Sequence, residues 1–164
     1  MDDIATQLNN FSQNLSQVLG TAVEVHVGDD VVPHSIFVRG VGVEGNGPDD
    51  APGSLEFINN DGTFMGNPNL DINNPLTPQN VSNICQYLIN ELNFHQNQLQ
   101  NNFGINHDLF PITIARLTFI RDHIAQHGTI PNPNQFPPFQ NQQANINNNN
   151  ANVGNNQEQG QLIN

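Results

Sequence analysis

Residues 77–104 have the sequence TPQNVSNICQYLINELNFHQNQLQNNFG, and this stretch decides the expected fold. Thr77 is a typical helix N-cap, and Pro78 occupies the favoured first helical position. Apolar residues then recur at helical spacing. They are Val81, Ile84, Cys85, Leu88, Leu92 and Leu99, with His95 on the same stripe. We therefore expect a long helix that runs to about residue 101 and ends at Phe103-Gly104.

A second helix is predicted from about Pro111 to Gln126, with Gly128 just past its end. Its apolar residues, which include Ile112, Leu117 and Phe119, nearly encircle it. A helix that is apolar almost all round is typically buried. The two helices together predict a helical hairpin in the second half of the chain.

The first half of the chain is predicted to be rich in strands after an amphipathic helix over residues 2–19. Alternation of apolar and polar residues predicts a strand at 22–27, and 55–65 has the pattern of a hairpin with a Gly-containing turn. Residues 35–43 are compatible with a helix or a strand, and we expect 66–75 to be irregular. The chain therefore predicts an α+β fold, a small sheet with the helical hairpin packed on it.

Three segments of different composition divide the chain. Residues 1–20 form the N-terminal amphipathic helix, and residues 21–128 form the α+β domain. The segment 129–164 is rich in Asn, Gln and Pro, and its few apolar residues cannot offset the entropy lost on ordering. We therefore expect this tail to be disordered.

The composition excludes several functions. Fifteen acidic residues oppose three arginines, with no lysine, so the formal net charge is -12. Such a chain has almost no cation with which to bind nucleic acid or an anionic membrane. No apolar run approaches a membrane-spanning helix, and the acidic start Met1-Asp2-Asp3 is unlike an export signal. A cytoplasmic protein is expected, or an effector delivered into a host cell.

Cys85 is the one cysteine, and it permits an alternative function as the nucleophile of a small hydrolase or deamidase. Its place in the apolar stripe favours a buried side chain instead. His123 and His127 share one helix face at a spacing that zinc sites use, but such a pair near a helix end is more often a surface feature. We therefore assign no catalytic residue, no metal site and no cofactor.

Several stretches resemble the BTB/POZ fold family, which includes small cullin adaptors. Residues 27–39, VGDDVVPHSIFVR, resemble its opening, where a strand and a turn lead to a histidine and then a helix. His34 and Arg39 match that histidine and a basic residue of the helix. Residues 81–88, VSNICQYL, and Phe110-Pro111-Ile112 resemble two later helical segments.

The resemblance covers roughly residues 21–127 and implies a non-catalytic adaptor, often in ubiquitin ligases and often self-associating. Residues 2–19 would match the extra N-terminal helix of dimerising members. The absence of lysine has a related interpretation, because ubiquitin is conjugated through lysine amines. Base-composition drift is the other explanation.

We expect a protein-interaction adaptor that recruits a cullin-type or helical-box protein, and that forms homo-oligomers. Aromatic residues supply much of the energy of protein interfaces. The partner-binding candidates are Tyr87, Phe94, Phe110 and Phe119. A self-assembling structural or surface protein is a further alternative, suggested by the low charge density and the Asn/Gln richness.

Overall fold

The computed structural model describes residues 3–40, 53–104 and 110–137. One helix precedes a sheet, and two more helices follow it. The helices are α1 (Ile4–Leu19), α2 (Pro78–Phe103) and α3 (Phe110–His127). The strands are β1 (Val23–His26), β2 (His34–Val38), β3 (Ser54–Ile58), β4 (Thr63–Phe64) and β5 (Asn67–Asp71).

The sheet is an antiparallel meander of five strands, in which each strand pairs with the next one along the chain. Val25 lies opposite Ile36, Ile36 lies opposite Glu56, and Ile58 lies opposite Phe64. The turn between β3 and β4 requires a glycine, since Gly62 has a φ of 94°. Among the described strands, each pair of neighbours in the sheet is therefore consecutive in sequence.

The helices cover one face of the sheet, and the core lies between the two layers. It contains α1, sheet and hairpin side chains, among them Leu8, Leu15, Ile36, Ile58, Leu88, Leu92 and Ile120. Phe64 is at its centre, because its ring makes edge contacts with Phe11 and Tyr87 at centroid distances of 6.1 and 5.9 Å. The side chains of Asp3 and Thr77 accept hydrogen bonds from the first turns of α1 and α2.

The α+β class, the sheet in the first half and the helical pair are confirmed. The expectation of irregular structure over 66–75 was wrong, because Asn67–Asp71 forms strand β5. Pro68 is tolerated there since an edge strand does not need every N–H for pairing. His34–Val38 is a strand, whereas the family resemblance places a helix after the histidine.

The beginning of the expected disordered tail is ordered. Pro131 is fully buried, and a short 3-10 helix spans Pro133–Gln135. The Phe136 ring contacts Phe119 at 5.6 Å and lies 4.9 Å from the guanidinium carbon of Arg116. A few apolar side chains among the prolines are therefore enough to anchor residues 130–136. Residues 138–164 lie outside the described residues.

Candidate interaction surface on the outer face of the sheet

Strand β3 has its polarity reversed relative to an ordinary half-buried strand. Such a strand normally turns its apolar side chains to the core and its polar side chains to water. In β3 the buried set is Ser54, Glu56 and Ile58. Leu55 and Phe57 point away from the core and are 46% and 43% exposed. The strand therefore presents large apolar side chains on the side that the helices leave open.

Neighbouring strands extend this apolar surface. Phe37 of β2 lies opposite Leu55 and is half-buried. Met65 follows β4 and lies beside Phe57, whose carbonyl accepts a 2.8 Å hydrogen bond from the Met65 N–H. Met65 is 52% exposed. We call Phe37, Leu55, Phe57 and Met65 the outer apolar face, and contiguous surfaces of this kind typically mark interaction sites.

One border of the outer apolar face carries an ion pair. Glu24 on β1 lies opposite Phe37, and its carboxylate accepts a hydrogen bond from Nε of Arg39. The guanidinium carbon of Arg39 lies 5.5 Å from the centroid of the Phe37 ring. This cation–π contact fixes the ring at the border of the face.

The inward carboxyl of Glu56 is held by two hydroxyl groups beneath this face. The Tyr87 hydroxyl donates to Oε1 at 2.8 Å, and the Ser54 hydroxyl donates to Oε2. Burial raises the pKa of Glu56 above its ordinary value, while the two hydrogen bonds act in the opposite direction. Burial and the adjacent Glu56 also raise the pKa of the Tyr87 phenol. This contact joins the middle of β3 to helix α2.

A buried histidine joins the two turns at one end of the sheet. Nδ1 of His34 accepts a 2.8 Å hydrogen bond from the Gly28 N–H in the turn after β1. Nε2 of the same ring lies 2.7 Å from Oδ1 of Asn60 in the turn after β3. Because an amide oxygen accepts hydrogen bonds, Nε2 is the ring nitrogen that carries the proton. His34, matched by resemblance to a family histidine, thus fixes the relative position of two hairpin turns.

The four residues predicted to bind a partner occupy different environments. Phe110 is 5% exposed and belongs to the core, and Tyr87 is held beneath the sheet by Glu56. Phe119 is half-buried under Phe136. These three side chains already make intramolecular contacts, so their placement does not suit surface anchors. Phe94 is 55% exposed and packs its ring edge on His95.

The environment of Cys85 is unfavourable for a nucleophile. The side chain is fully buried in the core, and burial raises the pKa of its thiol to about 12. A reactive cysteine needs the opposite shift, toward the thiolate. The His123 and His127 rings lie 4.5 Å apart. Within the described residues, no group of three or more His, Cys, Asp or Glu side chains is arranged to hold a metal ion.

Sequence reasoning missed the outer apolar face for an identifiable reason. The hairpin containing Leu55-Glu56-Phe57-Ile58 was predicted, but apolar residues stand on both alternating sets of this strand. A carboxylate normally faces water, so Glu56 favours exposure of the alternating set to which it belongs, Ser54, Glu56 and Ile58. In the folded chain the Glu56 carboxyl instead faces the core, where it accepts hydrogen bonds from Ser54 and from Tyr87, which is 31 residues away. The two large apolar residues flanking a lone acid were the available indication.

No helix in the described part of the chain combines the length and apolarity needed to cross a bilayer. No protein-family model, no curated protein and no solved structure matches this chain.

Proposed function

We propose that this chain is a non-catalytic protein-interaction adaptor that holds a partner against its outer apolar face. The reversal of β3 carries the proposal: Leu55 and Phe57 point to solvent while Glu56 points to the core. Exposing two large apolar side chains and burying a carboxyl both cost folding free energy. Departures of this kind from the local folding rules are expected at functional surfaces.

The energy available at this face is modest. Fully burying a side chain such as Leu, Phe or Met contributes about 1.5–3 kcal/mol. Leu55, Phe57 and Met65 have already lost about half of their accessible surface. A partner therefore gains only about 1 kcal/mol from each of them. Because association itself costs about 4 kcal/mol or more, a stable complex also needs polar contacts around the face.

The absence of lysine supports an adaptor placed beside ubiquitin transfer, with a cullin-type or helical-box protein among its partners. A chain with no lysine offers no side-chain amine for conjugation, so it would persist next to a ligase that modifies its neighbours. This setting is the more specific part of the proposal, and it is tested separately.

Photo-crosslinking from the face tests the binding mode. We replace Phe57 with benzoylphenylalanine, which keeps the aromatic ring, and irradiate the full chain in cells. A specific crosslinked protein is expected from position 57. The control carries the same crosslinker at Phe94, which has comparable exposure on helix α2. Equal recovery of the same proteins from both positions, or none from position 57, contradicts the proposal.

A matched pair of variants tests the ubiquitin setting. Asn97 is exposed on α2, and Asn97→Lys introduces a single acceptor there. Asn97→Arg adds the same charge without an acceptor amine. We expect ubiquitin conjugation and faster turnover of the lysine variant only. Equal turnover of the two variants, without conjugation, argues against a position beside ubiquitin transfer. It does not count against the proposed binding surface.

A further inference from the structure

The positive charges of the chain are engaged in internal contacts. Arg39 pairs with Glu24. Arg121 pairs with Asp122, and its NH1 group donates to the side chain of Gln86 at 2.8 Å. Arg116 lies against Phe136 and the carbonyl of Leu19, and its guanidinium is partly buried. These are the only cationic residues besides histidine, since the chain has no lysine.

Acidic residues lie around the outer apolar face. Glu24, on the strand next to Phe37, is paired with Arg39, so the described acidic groups without an ion pair at this border lie in the turns. Asp29 and Asp30 lie in the turn after β1, and Asp61 lies in the turn after β3. The His34 ring joins these two turns through Gly28 and Asn60, so their carboxylates lie at the same end of the sheet.

Apolar side chains continue into this acidic end. Val31 and Val32 follow Asp30 directly and are exposed, Val31 by 89%. The Asp29 carboxylate accepts hydrogen bonds of 2.8 Å from the N–H groups of both valines, which holds the turn in place. Valines and aspartates therefore occupy one ordered turn at the border of the face.

We propose that the occupant of the outer apolar face is a protein segment whose apolar residues are flanked by lysine or arginine. This inference rests on the proposed function and specifies the class of partner. Opposite charges around an apolar centre accelerate association and select the partner. A second copy of the chain fits poorly, because it brings the same net charge of -12 and the same acidic border.

Two labelled synthetic peptides of alternating sequence provide the test. One alternates Leu with Lys and the other alternates Leu with Glu, and fluorescence anisotropy measures their binding to the full chain. The lysine peptide is expected to bind at least tenfold more tightly. Its affinity should fall several-fold when salt is raised from about 0.02 M to about 0.5 M, because screening weakens exposed charge pairs.

Three variants identify the surface that the peptide uses. Asp30→Asn removes one border charge and should weaken binding about two- to fivefold, an effect of the size expected for an exposed charge pair. Asp122→Asn removes a charge from α3, away from the sheet, and should leave binding unchanged. Phe57→Thr should reduce binding of the lysine peptide about fivefold, the loss that corresponds to about 1 kcal/mol.

Each contrary outcome has a distinct meaning. If both peptides bind equally and Phe57→Thr weakens both, the outer apolar face is a binding surface, but the proposal that its partner carries lysine or arginine is wrong. If the lysine peptide binds and Phe57→Thr has no effect, binding is only electrostatic and both proposals fail at this face. If the chain alone forms a dimer that Phe57→Thr dissociates in sedimentation, a second copy is the occupant and the basic class is overturned.

Discussion

The Tyr87 hydroxyl donates a 2.8 Å hydrogen bond to Oε1 of Glu56, and this contact joins helix α2 to the inward side of β3. It explains how a strand with a carboxyl facing the core is tolerated. The two hydroxyl donors compensate part of the cost of burying the carboxylate. The same contact leaves Leu55 and Phe57 on the outer side, so the internal polar cluster and the external apolar surface are two consequences of one strand orientation.

Replacement of Glu56 by Gln should stabilise the protein at pH 7. Burial raises the pKa of Glu56 in the folded protein above its ordinary value of 4.5. The folded state then binds the proton more tightly than the unfolded state, so stability is highest below pH 4.5 and falls as the pH rises through the raised value. Glu56→Gln removes this decline. Urea unfolding at pH 4 and pH 7 should show a gain at pH 7 only, and an equal effect at both pH values would contradict burial of the carboxyl as the cause.

Tyr87 and Gly66 are predicted to be coupled energetically. A Cβ atom at Gly66 would lie 2.3 Å from the Tyr87 hydroxyl oxygen, while the next ring atom is 3.4 Å away. Gly66→Ala should therefore destabilise the protein by about 1–3 kcal/mol, the usual cost of overpacking. Tyr87→Phe removes the clashing oxygen at a cost of about 1–3 kcal/mol for the unpaired carboxyl.

The double variant tests this coupling. Gly66→Ala should cost much less in the Tyr87→Phe background than in the wild type, because the ring atoms that remain lie at a tolerable distance. Chemical unfolding of the four proteins of this cycle measures the interaction. Additive costs would show that Gly66 is constrained by something other than the hydroxyl.

Three turn and cap carboxylates should set the acid side of the stability profile. Hydrogen bonds from backbone N–H groups lower the pKa of Asp3 and Asp29 below the ordinary 3.8. The Thr63 hydroxyl, and after it the Thr63 N–H, lower the pKa of Asp61 in the same direction. Their contributions are present above pH 3.8 and are lost as the pH falls through the lowered values. Since Glu56 acts in the opposite direction above 4.5, thermal unfolding should show greatest stability near pH 4 to 4.5.

Variants separate the two limbs of this profile. Asp29→Asn should flatten the decline below pH 3.8 and leave the decline above 4.5 unchanged. Glu56→Gln should do the reverse. A maximum of stability at neutral pH in the wild type would show that neither group dominates.

The helices were more predictable than the sheet, and the reason is the range of the interactions. Helix α2 is specified locally, by Thr77 at its start, its apolar stripe and Gly104 at its end. Strand β5 has almost no strand propensity, since its sequence is NPNLD, and it forms through pairing with β4. Local sequence patterns therefore predict an element such as α2, but they do not predict a strand such as β5, which forms through its pairing partner.

The same distinction applies to the candidate surface. Of the aromatic residues predicted to bind a partner, Phe94 is exposed and Phe110 lies in the core, because a helical stripe does not reveal which aromatic residues meet another layer. In β3, the inward carboxyl of Glu56 is bonded to Tyr87, which lies far away in the sequence. A one-residue shift in a strand exchanges its two faces, so the pattern of a short strand cannot decide between them when both sets are partly apolar.

A comparison of adjacent residues in β3 tests the strand orientation directly. Ile58 is fully buried, whereas Phe57 is the larger side chain and is 43% exposed. If the orientation holds, Ile58→Ala should cost about 2–5 kcal/mol, since it opens a cavity in the core. Phe57→Thr should cost about 1 kcal/mol or less, because it removes partly solvated surface and keeps a residue that favours strands. Urea unfolding of both variants measures the difference. The opposite ranking would place Phe57 in the core, and would remove the surface on which the proposed adaptor function depends.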